Sequence, residues 1–214
     1  MARARTTQHS TIGMDTKTRI IEATMETLRT EGIVGTSVRA IARTGDFNQA
    51  LIHYHFGSIS NLLISTLQFM GDQRHIRYAE RLGTVSSFGE LVHVAAELHE
   101  QDVATGQTSV LNQIIAGSCG DPELQERLKE PFQPWVDMVE DIITRLLGDS
   151  PLATLVPAHD VANAMAALFL GIETLSIIDP DDAARASLFT MFETLGGVLE
   201  ALLHAGVMPT SVEH

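Results

Sequence analysis

The sequence predicts an all-α protein, with an N-terminal helix-turn-helix head of three helices and a C-terminal helical bundle, about nine helices in all. Three observations predict it. Apolar residues make up 44% of the 214 positions, enough for a packed core. Aromatics are only 5%, and β-branched residues sit among Ala, Leu, Glu and Met rather than in alternating runs. Apolar residues also recur at helical spacing between recognisable caps.

Residues 1–14 carry Arg3 and Arg5 but no periodicity, so a flexible arm is expected there. A first helix over 16–31 buries Ile20, Ile21, Ala23, Thr24 and Leu28 and stops at Gly32. Thr36 is a suitable N-cap for a short second helix with Val38, Ile41 and Ala42 inward. Gly45-Asp46 marks a tight turn, because both residues tolerate left-handed backbone angles. A third helix covers 48–56, Gly57-Ser58 breaks the chain, and Ser58 or Ser60 opens a long fourth helix to Arg81. Two short helices about a Gly-bearing turn, braced by a longer one, form a helix-turn-helix. The organisation is therefore an arm (1–14), a head (15–60) and a helical body (61–214).

In the body, Ser87-Phe88-Gly89-Glu90 reads as a capping box for a helix to Val103, and a shorter helix follows over 107–116. Asp121-Pro122-Glu123 places an N-cap, an N1 proline and a first-turn acid in order. Pro131 and Pro134 are expected to break or kink the chain before a helix from Trp135 to Leu147. Two last helices run from Ala158 to Ile178 and, after Asp179-Pro180-Asp181-Asp182, to Leu203.

One cysteine, Cys119, excludes an intrachain disulfide and a Cys-rich metal site. No apolar h-region follows Arg3 and Arg5, and no uninterrupted apolar run approaches the roughly 20 residues of a spanning helix, so a cytoplasmic protein is expected. The net charge of −13 is unevenly spread: seven basic and five acidic side chains lie in residues 1–60, seven and 22 beyond. Only the head would attract a polyanion.

Its third helix shows how. Ile52 and Phe56, four apart, point to the core with Phe47, so Gln49, Ala50, His53 and Tyr54 face outward. An amide, an imidazole and a phenol suit base edges and phosphates. Arg39 sits in the first turn of the second helix, where the helix dipole disfavours a cation and a bound phosphate would offset the cost. Thr36 and Ser37 can add hydroxyls, and Ser58 joins the candidates at the start of the fourth helix.

Residues 16–67, from Thr16-Lys17-Thr18-Arg19-Ile20-Ile21-Glu22-Ala23 through Thr36-Ser37-Val38-Arg39-Ala40-Ile41-Ala42 to Asn48-Gln49-Ala50-Leu51-Ile52-His53-Tyr54-His55-Phe56-Gly57-Ser58, resemble the DNA-binding domain of tetracycline-repressor-like (TetR) regulators. The resemblance implies a homodimer, an omega-shaped helical fold, a double-stranded palindromic operator and a small-molecule inducer. It also implies DNA contacts by Thr36, Ser37, Arg39, Gln49, Ala50, His53 and Tyr54. Ile59 stands where the family often has Lys, His53 where Tyr is usual, and Asp46 where Gly is usual.

No metal, cofactor or catalytic group is expected. His53 and His55 point about 200° apart on a helix and cannot share an ion. There is no His-Glu-x-x-His, phosphate loop or nucleophile elbow. A helical enzyme and an interaction module without DNA binding are the alternatives. In the body, Phe69, Met70, Leu98, Leu111, Ile115, Trp135, Met138, Met165 and Phe169 are candidates for a ligand cavity, with plain core the alternative for most of them. Asn112, with Gln113 and Glu173, would either orient the ligand or face solvent or a partner subunit. The last two helices, with Ala162, Ala166 and Gly171 on one and Leu188, Phe192, Leu195, Leu199 and Leu202 on the other, are the expected dimer interface.

Overall fold

A computed structural model describes the backbone of residues 3–154, 157–178 and 183–205, and the side chains of 16–150, 153–154, 157–178 and 187–201. Among these residues the structure is helical and without strands: α1 (Arg3–Gly35), α2 (Val38–Thr44), α3 (Gln49–Phe56), α4 (Ile59–Leu82), α5 (Phe88–Ala104), α6 (Gln107–Ser118), α7 (Pro122–Arg127), α8 (Lys129–Leu147), α9 (Ala158–Ile178) and α10 (Ala183–Ala205), with a 3-10 turn (Pro151–Thr154) before α9. The cap expected at 179–182 and the side chain of Leu202 lie outside the described residues. Two compact units form, Met1–Asp72 with Ser109–Pro131, and Gln73–Thr108 with Phe132–His214.

In the head unit, α1 reaches back over the expected arm, since no proline interrupts that segment. The regular helix ends at Gly32, as expected. That glycine takes φ 69°, and one more turn follows the kink. The core holds Ile20, Ile21, Ala23, Ile41, Ala42, Ile52, Phe56 and Leu62. The head unit also extends past residue 60. Gln113 donates to the Leu28 carbonyl (2.7 Å), Ser60 to Asp121 (2.9 Å) and Arg127 to Asn61, so α6 and α7 are tied to α1 and the start of α4. Asp121 caps α7 by accepting from the Leu124 N–H (3.1 Å), and the hydrogen bonds from Leu124 and Ser60 hold its carboxyl below the usual range.

In the second unit, Tyr78, Leu82, Phe88, Leu91, Val94 and Leu98 pack with Val136, Val139, Ile142, Ile143, Leu147 and Ala162. The prolines do not break α8. Pro131 lies in its first turn, where an N–H would have no helical acceptor, and Pro134 removes a single ladder bond near the start. Ser87 caps α5 by accepting from Glu90 N–H (3.0 Å), while Glu90 accepts from Ser86 N–H (2.8 Å), a box shifted by one residue. Arg145 donates to the carbonyls of Leu82, Gly83 and Val85, satisfying orphan acceptors at the C-terminus of α4.

A buried ionic cluster joins α4, α5 and α9. Arg74 pairs with Asp102 and Glu173 at 2.8 Å each, both acids fully buried, and Arg77 reaches Asp102 at 2.9 Å. Burial pushes the Tyr78 phenol up, leaving it a neutral donor to Asp102. Burial likewise raises the Glu173 carboxyl, with Arg74 opposing the shift.

By length and composition alone α9 could cross a membrane, the one such helix among the described residues and a correction to the expectation of none. The expectation counted uninterrupted apolar residues, and Glu173 interrupts this helix. Its apolar residues divide between the unit's own core and an outer face.

Helices α5 and α10 approach each other closely at a glycine. A Cβ on Gly196 would lie 2.9 Å from Gly89 N and Phe88 C, whereas one on Gly197 would meet nothing within 4 Å. Gly196→Val is therefore expected to pry α10 from α5 and to cost about 1–3 kcal/mol in urea unfolding. Gly197→Ala should be neutral or gain up to about 1 kcal/mol from helix propensity. Equal midpoints for the two variants would show that the close approach is unimportant.

Candidate nucleic-acid interface and apolar pocket

The turn between α2 and α3 is set by two neighbouring residues. Gly45 is needed for space, because a Cβ there would stand 2.0 Å from the Phe47 ring and 2.9 Å from Ala23 Cβ. Asp46 supplies the left-handed angle at φ 50°. Phe47 then folds inward, its N–H donating to the Ala42 carbonyl (3.1 Å), and Asn48 caps α3 by accepting from Ala50 N–H (2.8 Å).

Ile52 is fully buried and Phe56 nearly so, which turns the opposite side of α3 outward. Gln49, Ala50, His53 and Tyr54 are all exposed, Tyr54 at 83%. The Tyr54 ring stands edge-on to His55 at 4.9 Å. His53 Nδ1 donates to the Gly57 carbonyl (3.3 Å), which places Nε2 as the outward nitrogen.

At the start of α2, the cap is Ser37 rather than Thr36: Ser37 Oγ accepts from Ala40 N–H (3.1 Å). The Thr36 hydroxyl donates to the Gly32 carbonyl (2.8 Å), a partner supplied by the kink in α1. Ser58 Oγ accepts from Asn61 N–H (3.1 Å) and so caps α4. Arg39 is exposed in the first turn of α2 and makes no ion pair among the described residues, whereas Arg43 pairs with Glu31 at 2.6 Å. Arg39, Arg43, Asn48 and Gln49 line a shallow concavity with Ala42 and Phe47. Arg43 and Asn48 were missed from sequence. The cap signal at Asn48 was legible, but its place beside Arg39 follows from the turn.

Residues 20–66 match the family model "Bacterial regulatory proteins, tetR family". The match covers the head, and its family description is that of DNA-binding regulators. Solved structures share the fold of this chain. A TetR-family transcriptional regulator from Rhodococcus sp. is 17% identical, with a TM-score of 0.68 over 89% of this chain and 99% of that one. FadR from Bacillus subtilis, solved in complex with stearoyl-CoA, is 15% identical, with a TM-score of 0.65 over 89% and 99%. A transcriptional regulator from Saccharomonospora viridis, solved with choline, is 18% identical, with a TM-score of 0.66 over 85% and 95%. No curated protein matches the sequence.

The second unit holds a cavity of ≈ 400 Å³ between α5, α9 and α10. Phe88 and Leu91 come from α5, Met165, Leu168, Phe169 and Ile172 from α9, and Phe189, Phe192 and Leu195 from α10. Every lining residue is apolar. The nearby polar pair is turned on itself. Ser176 donates its proton to the Ile172 carbonyl (2.8 Å), so it accepts from His99 Nε2 (3.0 Å), and the imidazole lies against Phe169 and Phe189.

Of the sequence candidates, Met165 and Phe169 line this cavity. Trp135 stands behind, its ring 5.6 Å from Phe169, and Met138 packs on the core. Phe69 and Asn112 belong to the head unit and line none of it, Phe69 packing on the head core. Gln113 and Glu173 are spent on Leu28 and Arg74. Leu98 of α5 packs in the core instead, and the residues of α5 and α10 that do line the cavity were missed, because in sequence they read as ordinary core stripes. Among the described residues no group of three His, Cys, Asp or Glu side chains could hold a metal.

Proposed function

We propose that this protein is a cytoplasmic repressor that binds a palindromic operator as a homodimer and leaves it when a small apolar molecule fills the α5–α9–α10 cavity. The observation that carries the reading is the outward face of α3, where Gln49, His53 and Tyr54 are exposed beside an Arg39-lined concavity. In this reading Gln49, Ala50, His53 and Tyr54 meet bases, while Arg39, Ser37, Thr36 and Ser58 meet phosphates.

The dimer is supported by the outer faces of α9 and α10. Ala164, Leu168, Gly171, Leu175 and Ile178 form an exposed stripe at helical spacing, and Met191, Leu195 and Val198 form another. Ala162 and Ala166, expected at the interface, pack on the unit's own core instead. The stearoyl-CoA and choline complexes of the two structural neighbours support a ligand in the body.

Gel shifts on the upstream region of its own gene test the reading. Gln49→Ala and Tyr54→Ala should each weaken specific binding by about 1–3 kcal/mol and leave non-specific binding unchanged. Arg39→Ala should weaken binding to all sequences and flatten its salt dependence. Equal losses on specific and random DNA for all three would remove the base-reading assignment.

A further inference from the structure

We infer that the apolar pocket is completed by the second subunit, and that its ligand is a neutral, hydrocarbon-rich molecule enclosed between the two copies. The inference rests on the proposed dimer and adds to it the place of the pocket's missing wall. Two lining residues, Leu168 and Leu195, are 38% and 53% exposed, so the cavity opens outward between α9 and α10. Its mouth lies on the same two stripes that carry Leu175, Ile178, Met191 and Val198.

The occupant of that face is a second copy on grounds of charge. Along residues 161–178 and 187–201 the charged side chains are Glu173, which is buried, and Glu193 and Glu200, which are half-buried. The two acids described on α10 are bonded to α5, Glu193 to His93 (3.0 Å) and Glu200 to the Phe88 N–H. In a chain of net charge −13, a surface of this kind lets two copies meet without like-charge repulsion. A two-fold operator needs such an isologous contact. Docking it covers Leu168 and Leu195, and with them the mouth.

Ligand chemistry follows from the closed wall. No lining side chain can solvate a charge, and an unpaired buried charge is costly. The buried charge on α9, Glu173, is already neutralised by Arg74. A bulky polar head has no route out once the face is covered. Because the site is complete only in the dimer, ligand and partner must strengthen one another equally.

The test uses the full chain and N-phenyl-1-naphthylamine, a neutral apolar dye, with Trp135 emission reporting its arrival beside Phe169. The wild-type dimer should bind the dye with quenching of Trp135, and the dye should tighten dimerisation in sedimentation. Leu175→Lys with Val198→Glu, neither a lining residue, should give a monomer of native circular dichroism whose dye affinity falls at least about tenfold. Decan-1-ol should displace the dye from the dimer and decanoyl-coenzyme A should not. A folded monomer that binds the dye as tightly as wild type would overturn the shared pocket, as would dye-independent wild-type dimerisation or equal competition by the coenzyme A ester. A double variant that stays dimeric would instead overturn the proposed interface. A wild-type dimer that takes up no dye would overturn the ligand site itself.

Discussion

Arg74→Met is expected to destabilise the protein by about 3–5 kcal/mol, the usual consequence of removing one partner from a buried ion pair. The cost comes from what remains. Asp102 and Glu173 are fully buried, and Arg74 lies 2.8 Å from both. Without it Asp102 keeps Arg77 and Tyr78, but Glu173 loses its ion-pair partner among the described residues. Burial already raises the Glu173 carboxyl, and the loss of Arg74 would force it neutral. Glu173→Leu alone leaves Arg74 its second acid, Asp102, so it should cost less. Combining it with Arg74→Met should recover part of the loss, since both buried charges then go together. Urea unfolding at neutral pH measures all three. A loss below about 1 kcal/mol for Arg74→Met, or strict additivity in the double variant, would show that the cluster contributes no net coupling.

Glu173 also shows where sequence reading ends. A lone acid in an apolar helix was visible, but its partner lies 99 positions away on α4, and no local pattern connects them. The caps behaved oppositely. Ser87 and Asp121 were legible because a cap acts on backbone N–H groups two or three residues ahead. Thr36 and Ser37 mark the boundary between these cases. Both hydroxyls can cap α2, and the choice was made by the kink at Gly32, which offers Thr36 a carbonyl. The outward face of α3 was legible because Ile52 and Phe56 fix the rotation of an eight-residue helix. The pocket was not. Its walls belong to three helices, and a phenylalanine lining a cavity has the same sequence signature as one filling a core.

The same limit shaped the expected interface, and it decides the variant with the largest effect on DNA binding. On sequence, Leu195 and Leu199 were equivalent members of one stripe. The structure separates them: Leu199 packs on its own core, while Leu195 and Val198 are each 53% exposed. Leu195→Glu with Val198→Glu should therefore yield a folded monomer, two carboxylates having been placed where a second copy would bury them without partners. Leu199→Glu should instead lower stability. For the monomer, each head must find its half-site independently rather than at the roughly millimolar effective concentration that a dimer provides. Operator affinity should then fall by about 10²–10⁴-fold, while contacts by Gln49 and Tyr54 at a single half-site remain intact. Sedimentation and gel shifts on full and half operators check this. A double variant that sediments as a dimer overturns the interface, and a monomer that holds the full operator as tightly as wild type overturns dimeric recognition.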